Sequence, residues 1–292
     1  MTKVMQPRAQ WLIATDLDGT LLDHYTYSHS AADLTLQQLE AAGIPVILNS
    51  SKTRDEMLAL RDSLHNRHPF ICENGSAIFI PQGYFPQRPE RARDEMGYWV
   101  LEPGATRRSI LDFLRHDSDS YGAPYLNFAN ASAAEIVAAT GLTLAQAEKA
   151  NRRDYSEPLL WQGDEQQKLA FIARANAAGF ATLQGGRFLH ILGQTDKGAA
   201  TTLLKQIYQH YRERECRLIA SGDGPNDLDM LSIADIAIIV RSPAHPPPHP
   251  SKQLAHHPDL IISRDAGPQG WAEAIQEVFS RPEQSGHLPN TK

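Results

Sequence analysis

The chain has 292 residues, enough for one large domain or two medium ones, and its 41% hydrophobic and 21% charged composition is that of a globular protein with a sizeable core. A formal net charge of −6 argues against a general nucleic-acid or anionic-membrane binder, because neither polyanion is attracted without a basic face. Two widely separated cysteines, Cys72 and Cys216, read as packed free thiols of a reducing compartment rather than a disulfide framework. The start, "MTKVMQPRAQWLIATD", holds too short an apolar run for a signal peptide or a membrane span, which makes a cytoplasmic location the default expectation.

The first expected element is a strand, "WLIAT", which runs straight into Asp16, Asp18 and Gly19. A short continuous apolar run between polar turns fits a strand covered on both faces. The helical pattern "SAADLTLQQLEAAG" follows and ends at Gly43, and "IPVILN" gives a second strand before Ser50. In "TRDEMLALRDSLH", Thr53 is a helix N-cap with Glu56 three residues on, and Met57, Leu60 and Leu64 share one face. The "ENG" at 73–75 reads as a strand-end turn beside a domain junction. From about Tyr84 to Leu192 the rhythm breaks, with "PQGYFPQRPERARDEMGYW", "SAAEIVAATG" and "LQGGRFLHILG". That middle reads as a smaller α+β domain over 85–192, inserted into an outer domain made of 1–84 and 193–292. After "TDKG" the residues Ala200, Leu203, Leu204, Ile207, Tyr208 and Tyr211 recur at helical spacing. "CRLIAS" leads into "GDGPND", and "IAIIV" is a further strand before Arg241. The Pro- and His-rich segment 241–258 reads as a solvated surface loop, and no internal repeat is present.

Strand, polar loop and helix in repetition predict right-handed βαβ units and an open α/β sheet, whose ligands bind beyond the carboxyl ends of the strands. That edge would gather Asp16, Asp18, Ser50, Lys52, Lys197, Asp223, Asn226 and Asp227. Carboxylates so close repel one another unless protonated or held by a cation, and an all-oxygen set suits a hard ion such as Mg²⁺. Magnesium, a lysine, a hydroxyl and Gly-opened amides are what a phosphate dianion needs. Asp16, first at the strand end, is the expected nucleophile, and Asp18 the group that protonates the leaving oxygen and then activates water.

These residues resemble the haloacid-dehalogenase-like (HAD) phosphohydrolases. "DLDGT" is similar to the first motif of that superfamily, "ILNSSKT" to the second, Lys197 in "TDKG" to the third and "GDGPND" to the fourth, in order across nearly the whole chain. The resemblance implies a Rossmannoid parallel-sheet core of α/β class with a mobile α+β cap of the Cof-type subgroup (C2B type). It implies Asp16 as nucleophile, Asp18 as acid and base, Ser50 and Lys197 as phosphate ligands, and Asp223 and Asp227 as Mg²⁺ ligands with Asn226 adjacent. Magnesium in that family also takes the Asp16 carboxylate and the Asp18 carbonyl. Within the subgroup, "SSKT", "ENG", "YSEPLLW", "GGRFLH" and "GPQGW" resemble the mannosyl-3-phosphoglycerate phosphatases.

The cap would exclude water and set specificity. There Arg187 suits a carboxylate or phosphate, Glu157 suits sugar hydroxyls, and His190 is expected to support the same surface. The expected partner is a small phosphorylated substrate, with neither nucleic acid nor membrane; monomer and homodimer are both compatible with the sequence.

Rival classes fail on spacing. Counted from Asp16 as a calcium loop, the sixth residue is Leu21 instead of glycine and the twelfth is Tyr27 instead of glutamate. No P-loop and no G-x-S-x-G elbow occurs. A same-fold sugar-phosphate mutase and a non-catalytic ligand sensor remain as alternatives.

Overall fold

The apolar run ending at Thr15 forms β1 (Gln10–Thr15), an inner strand of the large sheet in the computed structural model, which describes residues 10–185, 187–246 and 254–281. Both of its faces are covered. Trp11 and Ile13 enter one core cluster with Leu48, Trp271 and Ile275, while Leu12 and Ala14 enter another with Ile47, Leu204 and Tyr208. A strand buried on both sides has no polar alternation to display, which is why the run reads as uninterrupted.

After β1 come α1 (Asp33–Ala41), β2 (Val46–Asn49) and α2 (Arg54–Ser63). The start of α2 is the expected capping box: Glu56 N donates to the Thr53 hydroxyl at 3.3 Å and Thr53 N to the Glu56 carboxylate at 2.9 Å. Then β3 (Phe70–Cys72), β4 (Ala77–Pro81), β5 (Arg93–Glu95) and β6 (Tyr98–Leu101) complete this side of the sheet. Residues 93–101, expected in the inserted domain, therefore extend the large sheet antiparallel from β4. Strands of three and four residues among prolines and charges are too short to carry a period-2 signal.

The second lobe contains α3 (Arg107–Tyr121), β7 (Tyr125–Asn127), α4 (Ala133–Thr140), α5 (Leu144–Asn151), β8 (Ser156–Trp161), α6 (Glu165–Ala177), β9 (Ala181–Gly185) and β10 (Phe188–Leu192). Its strands form an antiparallel sheet in the order β7-β8-β10-β9, packed on a separate core that includes Ile110, Leu159, Phe171 and Ile191. The chain then returns through α7 (Lys197–Arg212), β11 (Cys216–Gly222), α8 (Leu228–Ser232), β12 (Ile236–Arg241), β13 (Leu260–Ala266) and α9 (Gly267–Ser280). The large sheet runs β13-β12-β11-β1-β2-β3-β4-β6-β5, parallel from β13 to β3. Because β1 lies between β11 and β2, with Thr15 paired to Ser221 and to Leu48, the residues just beyond three strand ends become neighbours.

Cys72 and Cys216 are free and buried, and burial pushes both thiols above their ordinary range. Among the described residues no helix is long and apolar enough to cross a membrane.

The "ENG" turn joins the two lobes. The buried Glu73 carboxylate accepts from Asp154 N at 2.9 Å, Tyr155 N at 3.2 Å and the Ser156 hydroxyl at 2.6 Å, and its Oε2 lies 3.3 Å from Arg153 Nε. On the core side, Glu73 N donates to Lys52 O and Asn74 N to Ser50 O, while Arg153 Nη2 donates to Ser51 O at 2.6 Å. Glu73 and Asn74 both hold positive φ, 50° and 58°, a conformation that side chains of this size adopt only where their surroundings fix it. At Gly75 a Cβ would sit 2.1 Å from the Asp196 carbonyl oxygen, so the turn can press against the start of α7 only as glycine. Glu73→Gln turns an acceptor oxygen into an amide that faces a donor N–H. It is expected to cost about 2–3 kcal/mol, read as a lower denaturation midpoint; unchanged stability would deny the turn this clasping role.

Candidate active site

Three strand ends and one helix start deliver the charged groups. Asp16 follows β1, with its backbone N–H donating to Ser221 O at 2.9 Å, and Asp223 follows β11. Ser50 follows β2 and is buried. Lys197 is the first residue of α7, whose N-cap Asp196 accepts from Ala199 N at 2.7 Å. Gly19, at φ 82°, closes the loop after β1, and a Cβ there would lie 2.5 Å from Asp223 Oδ2. Only glycine lets this loop close against the second acidic loop.

Lys197 Nζ donates to Asp16 Oδ1 at 2.5 Å and to Asp227 Oδ1 at 2.6 Å, with its side chain fully buried. The other oxygen of Asp227 accepts from Asp223 N at 3.2 Å and Gly224 N at 3.0 Å, which fixes the "GDGPND" loop. Asn226 sits beside it, its amide 3.5 Å from Asn74 Oδ1. Carboxylate oxygens of Asp16, Asp223 and Asp227 all lie within 4.8 Å of one another. Burial, with the neighbouring Asp227 charge adding to it against the pull of Lys197, lifts the Asp16 carboxyl to about 7. Burial and the neighbouring Asp16 and Asp227 charges lift Asp223 to about 8. Burial alone would lower the Lys197 ammonium, but Asp16 and Asp227 over-compensate and hold it above its ordinary value. Among the described residues, the ammonium groups that meet the Asp16, Asp18, Asp223 and Asp227 carboxylates are those of Lys197 and Lys52, two against four. An all-oxygen, charge-deficient set of this kind fits a hard divalent cation.

Asp18 is divided between two environments. Its Oδ2 accepts from Lys52 Nζ at 2.8 Å, while its buried Oδ1 has no hydrogen-bond partner among the described residues. Beside it a cleft of 210 Å³ opens between the lobes, walled by Tyr27 and Lys52 from one lobe and by Phe128, Arg153, Phe188 and His190 from the other. His190 lines the same cleft as Asp18, and its buried Nδ1 is likewise unpartnered among the described residues. Burial, with the Arg153 charge adding to it, pushes this imidazole down to about 3 and keeps it neutral.

Arg187 lies exposed at the turn before β10, its Nη1 donating to Ala139 O at 3.0 Å. Glu157 corrects the expectation of a sugar-binding acid. Fully buried in β8, it accepts from Arg107 Nε at 2.6 Å and Ala129 N at 2.7 Å, so its carboxylate stitches the second lobe together and has no face on the cleft. The sequence reading missed Arg153, which is buried, lines the cleft and holds Ser51. It also missed His245. Expected in a solvated loop, His245 puts Nε2 3.3 Å from Asp223 Oδ2, and Ser242 also bonds that carboxylate. Arg153 bonds locally to Ala150 and Ser156, but its hold on Ser51 and Glu73, like that of His245 on Asp223, joins segments remote in the chain and leaves no local mark. Residues 247–253 of the Pro/His segment lie outside the described residues.

The haloacid dehalogenase-like hydrolase family matches residues 13–87. A relative in Methanococcoides burtonii, named glucosyl-3-phosphoglycerate/mannosyl-3-phosphoglycerate phosphatase, is 36% identical over 275 residues, covering 92% of this chain and 97% of its own. A second, of the same name in Persephonella marina, is 33% identical and covers 93% and 98%. Among solved structures, a haloacid dehalogenase-like hydrolase from Bacteroides thetaiotaomicron is similar in fold at a TM-score of 0.62 and 19% identity, covering 92% of this chain and all of that one.

Proposed function

This chain belongs to the haloacid dehalogenase-like hydrolases as a phosphoric monoester hydrolase, and on that premise we propose that it is a Mg²⁺-dependent phosphatase converting mannosyl-3-phosphoglycerate, or its glucosyl counterpart, to the glycosylglycerate through an aspartyl-phosphate. The observation that carries this reading is the near full-length similarity to two relatives of that name. The same groups would serve a mutase, but a mutase would return the phosphoryl group to a sugar.

Asp16, Asp223 and Asp227, with the Asp18 carbonyl, would hold Mg²⁺, which when bound neutralises charge on the phosphoryl oxygens. Lys197 pins Asp16 Oδ1, so the other carboxylate oxygen is free to attack phosphorus. The Ser50 hydroxyl and the Lys197 ammonium bind phosphate oxygens as the bond to the leaving group breaks. Asp18 Oδ1, unpartnered and beside the cleft, donates the proton to the leaving oxygen and afterwards takes one from the water that opens the acyl phosphate. The second lobe, from Arg107 to Leu192, acts as the cap for specificity, with Arg187 and His190 meeting the substrate from that side.

Phosphate release from mannosyl- and glucosyl-3-phosphoglycerate, simple sugar phosphates and an aryl phosphate, with and without Mg²⁺, tests the reading. The glycosylated phosphoglycerates should lead by at least about tenfold in kcat/KM, and no lead would remove the substrate assignment. Arg187→Ala should reduce that lead by about tenfold while costing the aryl phosphate less; equal losses would take Arg187 out of substrate recognition.

A further inference from the structure

Lys52 has no part in the chemistry so far, yet it is the ammonium group on the cleft. Its side chain is 15% exposed, and its carboxylate partner there is Asp18 Oδ2 at 2.8 Å. The Tyr27 ring lies 5.3 Å away on another side, and Glu56, the other acid lining the cleft, is spent on the α2 capping box. An ammonium has three donors, and a mostly buried one is costly unless they are used. The nearest place to use them is the cleft itself.

The geometry of Asp18 says which anion fits. With Oδ2 on Lys52 and Oδ1 free, a leaving oxygen at Oδ1 brings any acceptor a few bonds further along the same molecule within reach of Lys52. In a 3-phosphoglycerate skeleton the carboxylate is separated from the ester oxygen by two carbons, C3 and C2. A substituent on C2 would share the cleft with Phe128, Phe188 and His190, which line it from the second lobe.

We infer that Lys52 is a carboxylate-recognition residue, one ammonium bridging Asp18 and the carboxylate of a phosphorylated α-hydroxy acid. This rests on the substrate class proposed above and adds to it. The bridge sets the ester oxygen beside Asp18, so the carboxylate serves both as a recognition element and as a ruler for proton transfer. A phosphate ester without that carboxylate lacks the ruler.

The test compares 3-phosphoglycerate with glycerol 3-phosphate, which differ in a carboxylate against a hydroxymethyl group. Dissociation constants are measured by calorimetry with Mg²⁺ in Asp16→Asn and in the same chain carrying Lys52→Met or Lys52→Arg. The expected result is at least tenfold tighter binding of 3-phosphoglycerate, falling to near parity in Lys52→Met and largely restored in Lys52→Arg. Equal binding with Lys52 intact, a preference that survives Lys52→Met, or no binding of 3-phosphoglycerate overturns the inference. The first and last comparisons keep Lys52, so they decide even if Lys52→Met fails to fold. A carboxylate preference without any glycosyl preference in phosphate release would remove the mannosyl or glucosyl reading and leave Lys52 in its role. A glycosyl preference without carboxylate discrimination would do the reverse.

Discussion

Asp16→Asn is expected to lower phosphate release on the order of 10⁴-fold or more, with a thermal midpoint at or above that of the wild type in metal-free buffer. The two halves of this expectation come from one feature. As the proposed nucleophile, Asp16 forms the new bond to phosphorus, and an amide in the same place cannot. Yet its carboxylate is buried and lifted to about 7, which means that the folded chain tolerates its charge poorly. Asparagine removes that charge, and Lys197 keeps its bond to Asp227. A large loss of turnover beside preserved stability separates chemistry from unfolding. Turnover within tenfold of the wild type would remove Asp16 from the nucleophile's role.

Strand-end chemistry was legible because it is local. An apolar run followed at once by Asp16, Ser50 or Asp223 says both that a strand is buried and what stands at its tip, and parallel order brings the tips together. Lys197 was legible for the same reason, since "TDKG" supplies the N-cap and the first helical residue in one stretch. Contacts between remote segments carry no such local mark. Glu73 and Ser156 are 83 positions apart, and Lys52 and Asp18 are 34 apart. Periodicity could name neither pair, and the "ENG" turn had no readable purpose until its partners were in place. Glu157 misled because an acid in a polar-looking stretch suggests solvent, whereas Arg107 comes from α3 to bury it.

The clasp gives the second lobe a direct hold on the loop that carries Ser50, the proposed phosphate ligand. Ser50 and Ser51 accept from Asn74 and Arg153, and Arg153 lies next to the cap residues that Glu73 secures. Seating of the cap and placement of Ser50 therefore share one set of hydrogen bonds. Movement of the 153–156 segment would be passed through these bonds to Ser50 and Ser51.

Removing Mg²⁺ should stop phosphate release and also reverse the way stability depends on pH. In the metal-free chain Asp16 lies at about 7 and Asp223 at about 8, both raised by burial and by their acidic neighbours, against an ordinary value of 3.8. From about pH 4 up to these values the folded chain binds more protons than the unfolded chain, so the slope of unfolding free energy against pH is negative. Stability in chelator should then fall steadily from about pH 5 to about pH 8 and level off above. Mg²⁺ favours the ionised carboxylates, so its stabilisation should grow over the same window, and binding at pH 7 should release about one proton. Thermal midpoints in chelator and in Mg²⁺ at the two ends of the window read the first effect. Calorimetry in two buffers of different ionisation heat reads the second. Midpoints in chelator that rise with pH, or Mg²⁺ binding without proton release, would mean that the acidic cluster is already ionised and balanced without a cation, and the case for a metal at this site would lose its electrostatic basis.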